Sequence, residues 1–233
     1  MAEPDSRRAA VVGLEVRVGP LIGFFGPAVV AAAVAAGEPP PSEHELRARI
    51  EDWRRWVGDG LVGNGHLASA PDWDEDDPRA PQRSLLPLDA LRALKLRIAY
   101  GERRPLPPLL PARPELDPRW VELAEAEFAD TPYDQVVVPE FWLPGDFAFT
   151  FPCPWPDGHV VRTGSVTALR RQLAALRETL LGGTPFDGAL WATSAPGGDE
   201  LVPLARLAAA ALERASQEAE ARHQPMLIAA RGD

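Results

Sequence analysis

Apolar and polar positions alternate at the start of the chain. Val12, Leu14, Val16 and Val18 are separated by Gly13, Glu15 and Arg17, a period of two that predicts a strand with one buried face. Pro27 at a first helical position predicts a short Ala and Val helix ending at Gly37, with Pro39 to Pro41 blocking its continuation. Ser42 followed by Glu45 is a capping box opening a helix through Ile50, Trp53 and Val57 toward Gly58. On that helix Arg47, Arg49, Arg54 and Arg55 interleave with Glu43, Glu45, Glu51 and Asp52, the signature of a surface helix with one apolar stripe. From Gly58 to Arg83 periodicity disappears and Gly, Pro and Asp become dense, which predicts a long loop.

Helical spacing returns at Leu88, Leu91, Leu94 and Ile98, with Pro87 in the first turn and Gly101 just past the end. Six prolines between Pro105 and Pro118 then predict an extended connector over 103–118, the one candidate boundary between two lobes. Asp117 with Pro118 opens a helix through Trp120, Leu123 and Phe128. The pattern next turns to strands: Gln135 to Trp142, Asp146 to Phe151 with Phe147, Phe149 and Phe151 alternating, and His159 to Thr163 after a turn at Pro156, Asp157 and Gly158. Ser165 caps a helix carrying Val166, Leu169, Leu173, Leu176 and Leu180 and stopped by Gly182 and Gly183. A short strand at Ala189 to Thr193, a helix from Pro203 to Arg222 and a final strand from Pro225 to Ala230 complete the chain. The expected fold class is α+β: an N-terminal strand and helices, then an antiparallel β-meander packed against C-terminal helices, in one domain over residues 1–233.

Composition adds limits. The 233 residues are 45% apolar and 25% charged, ordinary values for a packed core. The cations are 23 Arg and one Lys, Lys95, and Asn64 is the single Asn, a skew that fits a GC-rich bacterial genome. A net charge of −10 disfavours binding to nucleic acid and favours basic or neutral protein partners. Val18 to Gly37 is uncharged over a spanning length, but Gly19, Pro20, Gly23, Gly26 and Pro27 interrupt it, so a buried strand-to-helix passage is expected and not a membrane span. Acidic Glu3, Asp5 and Glu15 before that run argue against a secretory signal. Cys153, the one cysteine, has no disulfide partner within the chain, and a reducing, cytoplasmic setting follows.

The candidate chemistry is thin. Gly58, Gly60 and Gly63 spell a dinucleotide fingerprint, but a helix precedes them where a strand is required. Asp72, Trp73, Asp74, Glu75, Asp76 and Asp77 place five carboxylates in six residues and form the candidate binding patch for a protein partner. As a calcium loop the run fails at Asp77, where glycine is needed, and at Arg83, where the bidentate glutamate belongs. Arg92, Lys95, Arg97, Arg103 and Arg104 follow closely enough to neutralise it from within. His44, His66, His159 and His223 show no ligand spacing, and no metal or cofactor is expected. Thr163-Gly164-Ser165-Val166-Thr167 lies in the order of a nucleophile elbow without its two flanking glycines, so Ser165 reads as a helix cap that Asp should replace without loss. Arg104 to Pro108 resembles a groove-binding proline motif but reads as connector, and Arg231-Gly232-Asp233 is a chance tripeptide. The aromatic cluster of the second half is read as core, with Trp142 and Trp155 as possible walls of a groove. Two functions stay open. One is a non-enzymatic bacterial protein that binds another protein, of inhibitor or immunity type. The other is a hydrolase-like enzyme assembled around Ser165 and His159, with His66 and Asp157.

Overall fold

The structure, a computed structural model, describes residues 13–103, 105–128, 130–155, 159–183 and 199–230. These residues form a six-stranded mixed sheet flanked by seven helices. The strands are β1 (Gly13–Val18), β2 (Gln82–Pro87), β3 (Phe141–Leu143), β4 (Phe151–Pro154), β5 (Val160–Ser165) and β6 (Met226–Ala230), in the spatial order β2-β1-β6-β3-β5-β4. The helices are α1 (Ile22–Ala35), α2 (Glu43–Gly63), α3 (Leu88–Tyr100), α4 (Pro118–Glu125), α5 (Asp134–Val137), α6 (Val166–Leu180) and α7 (Leu201–Arg222).

The pleat sends alternate residues to opposite faces, and both faces are covered. On β3, Trp142 points to one layer while Phe141 and Leu143 point to the other; on β6, Met226 and Leu227 divide in the same way. Val16, Val18, Trp142 and Met226 join Leu94 of α3, Leu173 of α6 and Leu212 of α7 in the larger core. Phe141, Leu143, Val161 and Leu227 join Leu21, Phe25 of α1 and Trp53 of α2 in the second.

The α+β class holds, and the order of strands is where the expectation changes. The expected antiparallel meander is present only as the β4–β5 hairpin. β3 pairs with β5 in parallel, through Phe141 with Thr163, Trp142 with Gly164 and Leu143 with Ser165. The last strand, β6, lies between β1 and β3 and is antiparallel to both. Strands from both sides of the Pro-rich segment therefore share one sheet. That segment is itself pinned, since the Leu110 amide donates to the Asp199 carbonyl at 2.6 Å and the Leu201 amide to the Pro108 carbonyl at 3.1 Å.

Several boundaries move for identifiable reasons. α1 starts five residues before Pro27, which sits inside it. Its first half is buried through Phe24 and Phe25, and its Ala and Val second half is exposed, with Val34 at 62%. No described helix is long and apolar enough to cross a membrane. α2 runs on through Gly58 to Gly63, and Gly58 serves packing and not a turn, since a Cβ there would stand 2.7 Å from Ala70 Cβ. The three glycines of the fingerprint therefore lie within a helix. β2 is not expected from the sequence: Gln82 and Arg83 fall at the end of the expected loop, Pro87 in the expected first turn of the next helix, and QRSLLP, with no clean alternation, pairs only with β1 at the sheet edge. α4 stops at Glu125, and Glu127 and Phe128 follow at φ 49° and 61°. The expected strand over Gln135 to Trp142 divides into α5 and β3, and Phe147 and Phe149 lie outside any strand. The Ala189 to Thr193 segment falls outside the described residues.

Gln135 secures the parallel junction. It is fully buried, its amide donates to Gln172 Oε1 (2.8 Å), its Nε2 to the Phe149 carbonyl (2.9 Å), its Oε1 accepts the Ser165 amide (2.8 Å), and its carbonyl accepts the Trp142 indole N–H (3.0 Å). The junction leaves no room at Gly164, where a Cβ would collide with Gln135 Oε1 and stand 2.7 Å from Pro139 Cγ and 3.0 Å from Trp142 Cδ1. Gly164→Ala is expected to destabilise the protein by on the order of 3 kcal/mol in urea unfolding, and a change within the error of the measurement would show that this junction is loosely packed.

Candidate functional site

The acidic run is a loop between α2 and β2 whose residues alternate between anchors and exposed positions. Trp73 is 4% exposed and its indole N–H donates to the Glu75 carboxylate. Glu75 also accepts the backbone amides of Leu21 and Ile22, both at 3.2 Å, so it caps the start of α1 from more than fifty residues away. This distant cap explains why α1 begins before Pro27. Asp77 is buried against Arg222 at the end of α7, with Nη2 to Oδ2 at 2.9 Å, and it also accepts the amide and Nε of Arg79 at 3.0 and 2.8 Å. Gln224 Nε2 donates to the Asp74 carbonyl at 2.7 Å, a second tie to the same helix end.

Asp72, Asp74 and Asp76 are the exposed members. Arg54 donates to Asp72 (2.8 Å) and to the Trp73 carbonyl (3.0 Å) while its guanidinium lies 4.3 Å over the Trp73 ring. Arg47 donates to Asp76 (2.6 Å), and Asp74 accepts the Asp76 amide (2.8 Å) in a local turn. The neutralising cations are thus Arg47, Arg54, Arg79 and Arg222, and not the downstream set expected from sequence. Arg92 pairs with Asp89, Arg103 with Glu122, Arg97 donates to the Leu180 carbonyl, Lys95 lies in a cavity elsewhere, and Arg104 is outside the described residues. Arg79 first, then Arg222, holds the Asp77 carboxyl well below the usual carboxylate range. Among the described residues no three His, Cys, Asp or Glu are grouped to hold a metal ion.

The Ser165 constellation does not assemble. Its hydroxyl accepts the Ala168 amide at 3.0 Å and donates to the Gly145 carbonyl at 2.6 Å, and the residue is fully buried. His159 precedes β5 while Ser165 ends it, so the two are separated by about 20 Å of extended strand. His66 stacks on Phe149 with ring centroids 4.3 Å apart, and Asp157 lies outside the described residues. Burial pushes the Cys153 thiol up to about 11, which leaves it inert.

A cavity of about 470 Å³ opens at the far end of β6, and sequence reasoning missed it. β3 is too short to fill its lane: Phe141 faces Leu227 on one side and Thr163 on the other, the Glu140 amide donates to the Arg162 carbonyl (3.0 Å) and its carbonyl accepts the Ile228 amide (2.8 Å), and beyond Glu140 the lane has no strand to pair with Ala229 and Ala230 or with Val160 and Val161. The sheet is split there. Leu14, Leu91, Val136, Val160 and Ile228 line the split, with Lys95 of α3, Glu140, Trp155 and His159 as its polar members. The signal available in the sequence was Lys95 itself, the one amine among 24 cations. Trp142 is core, whereas Trp155 does line this opening.

Comparison with protein-family models, with curated proteins and with solved structures finds no match.

Asp77→Asn is expected to lower the thermal midpoint more than the combined replacement of Asp72, Asp74 and Asp76 by Asn, because it takes from the buried Arg222 its close counter-charge and leaves only Glu218 at 3.8 Å. The folded carboxyl titrates below its unfolded counterpart, so its contribution is complete above the unfolded value near pH 4 and is lost as pH falls toward the folded value. Calorimetry should show the gap between wild type and Asp77→Asn narrowing below about pH 4. At the helix cap, Ser165→Ala should cost about 1–2 kcal/mol in urea unfolding. Contrary to the sequence expectation, Ser165→Asp should cost at least as much, because a carboxylate cannot donate to the Gly145 carbonyl and would be buried against it. An Asp variant as stable as wild type would refute this account of the hydroxyl.

Proposed function

We propose that this protein is a non-enzymatic bacterial protein that works by binding another protein, of the inhibitor or immunity type, through the face formed by Asp72, Asp74 and Asp76. The observation that supports this reading is the alternation within the loop. Trp73, Glu75 and Asp77 are anchored, so the intervening carboxylates stand exposed on a backbone that is already ordered. A pre-ordered loop loses little conformational freedom on binding, and fixed carboxylates on a chain of net charge −10 steer a basic partner toward them. Glu43 and Glu51 of α2 extend the same acidic surface beside Arg47 and Arg54. The paired arginines do not cancel the face, since Asp72 and Asp76 stay exposed beside them and Arg54 is turned down onto the Trp73 ring. Nucleic acid fits such a face poorly, because phosphates repel carboxylates.

The variant that tests this reading replaces Asp72, Asp74 and Asp76 by Asn and spares Asp77. A partner captured from bacterial lysate at low salt should be released as salt rises. The triple variant, with an unchanged circular dichroism spectrum, should capture less of that partner and show a flatter salt dependence. Equal capture with an equal salt slope would remove the acidic face from the interface.

A further inference from the structure

We propose that the split in the sheet is a binding site for a small apolar aldehyde, held covalently and reversibly as an imine on Lys95. Every other side-chain cation in the chain is arginine, which stays charged and is no nucleophile. The one position that carries an amine lies in the one described opening of the sheet between β6 and β5. No hydrogen bond or ion pair ties the Lys95 ammonium to a described residue, so its side chain is not spent on holding the fold. Its surroundings are the aliphatic walls of Leu14, Leu91, Val136 and Ile228. Burial pulls the amine below its ordinary value, with Glu140 opposing that shift, and a larger neutral fraction is what a nucleophilic amine requires. The Trp155 indole N–H is buried without an acceptor beside the same cavity, and an entering carbonyl oxygen supplies the kind of group it lacks.

The chemistry balances without a redox partner. The neutral Nζ attacks the carbonyl carbon, the C=O electron pair moves to oxygen, and that oxygen takes up a proton as the nitrogen releases one. The hydroxyl then departs as water while the C=N bond forms. Glu140, the one carboxylate among the lining residues, is placed to carry the proton between nitrogen and leaving oxygen. Apolar walls select an aliphatic chain, and a volume of about 470 Å³ limits it to a small one. This site is independent of the acidic face, which lies at the opposite end of β6.

The test uses the intact protein with hexanal and cyanoborohydride, which reduces an imine to a stable secondary amine. Because the chain holds one lysine, peptide mass mapping separates Lys95 from the N-terminal amine, and Lys95→Arg serves as the control for assignment. Lys95 should be labelled on the order of tenfold faster, or more, in the folded protein than in the same chain unfolded in urea, with a rate that saturates in hexanal. Glu140→Gln, a change at an exposed residue, should slow labelling severalfold without moving the saturating concentration. Labelling no faster than in urea, or a rate that stays linear in hexanal, would overturn the proposal. Neither result depends on any protein partner, so failure here leaves the reading of the acidic face untouched.

Discussion

The buried pair between Asp77 and Arg222 joins residues 145 apart in sequence and sets the path of the chain on both sides. Asp77 lies just before β2 and Arg222 at the last turn of α7, so their pairing fixes how the loop approaches the helix end from which β6 departs. A buried charge must be matched: without Asp77, Arg222 keeps only the more distant Glu218 at 3.8 Å, whereas without Arg222 the Asp77 carboxylate keeps only Arg79. Once Asp77 is held, the preceding residues have a defined direction: Glu75 reaches the amides that open α1, Trp73 enters the second core, and the Asp74 carbonyl meets Gln224. The acidic run is therefore first a clasp between three separate parts of the chain. Its exposed carboxylates are positioned as a consequence.

The sheet carries a second consequence of local economy. β3 has three residues, and the parallel junction with β5 is closed by the four hydrogen bonds of Gln135 in place of a longer ladder. Past the two bonds by which Glu140 bridges Arg162 and Ile228, no strand lies between the ends of β5 and β6, and the space between them becomes the cavity around Lys95. Glycine at 164 is required by the same closeness. Tight packing at one end of the junction and an opening at the other thus share one cause, the early turn of the chain at Pro139 and Glu140.

Local signals were legible in the sequence, and distant ones were not. The capping box at Ser42 and Glu45 is present with both of its bonds, and the apolar spacing of Leu169, Leu173 and Leu176 marks a buried helix face, because those patterns are written within a few residues. The start of α1 depends on Glu75, and the fate of Asp77 on Arg222, and no window of sequence contains both members of either pair. Gln135 to Trp142 read as one strand from its β-branched and aromatic residues, yet the first part is a helical turn whose polar Gln sits in the core. Propensity there was overridden by the hydrogen bonds that a single side chain supplies in three dimensions. The acidic patch was visible as composition, but which carboxylates are anchors and which are exposed is a property of the fold.

The two cationic side chains answer different demands at the two ends of β6. A clasp requires a charge that persists whatever its surroundings, and the guanidinium of Arg222 provides one, with several donors shared among Asp77, Arg79 and Ala80. A lysine in that position would offer a single compact charge, easily lost on burial, and could not bridge three acceptors in a plane. At the other end the demand is reversed. Among aliphatic walls an amine can give up its proton and keep a lone pair available, whereas an arginine would stay charged there with Glu140 as its one carboxylate neighbour. Whatever sets the excess of Arg over Lys in the chain, these two positions are matched to their surroundings: permanent charge where distant segments are tied, and a dischargeable nitrogen where the sheet opens.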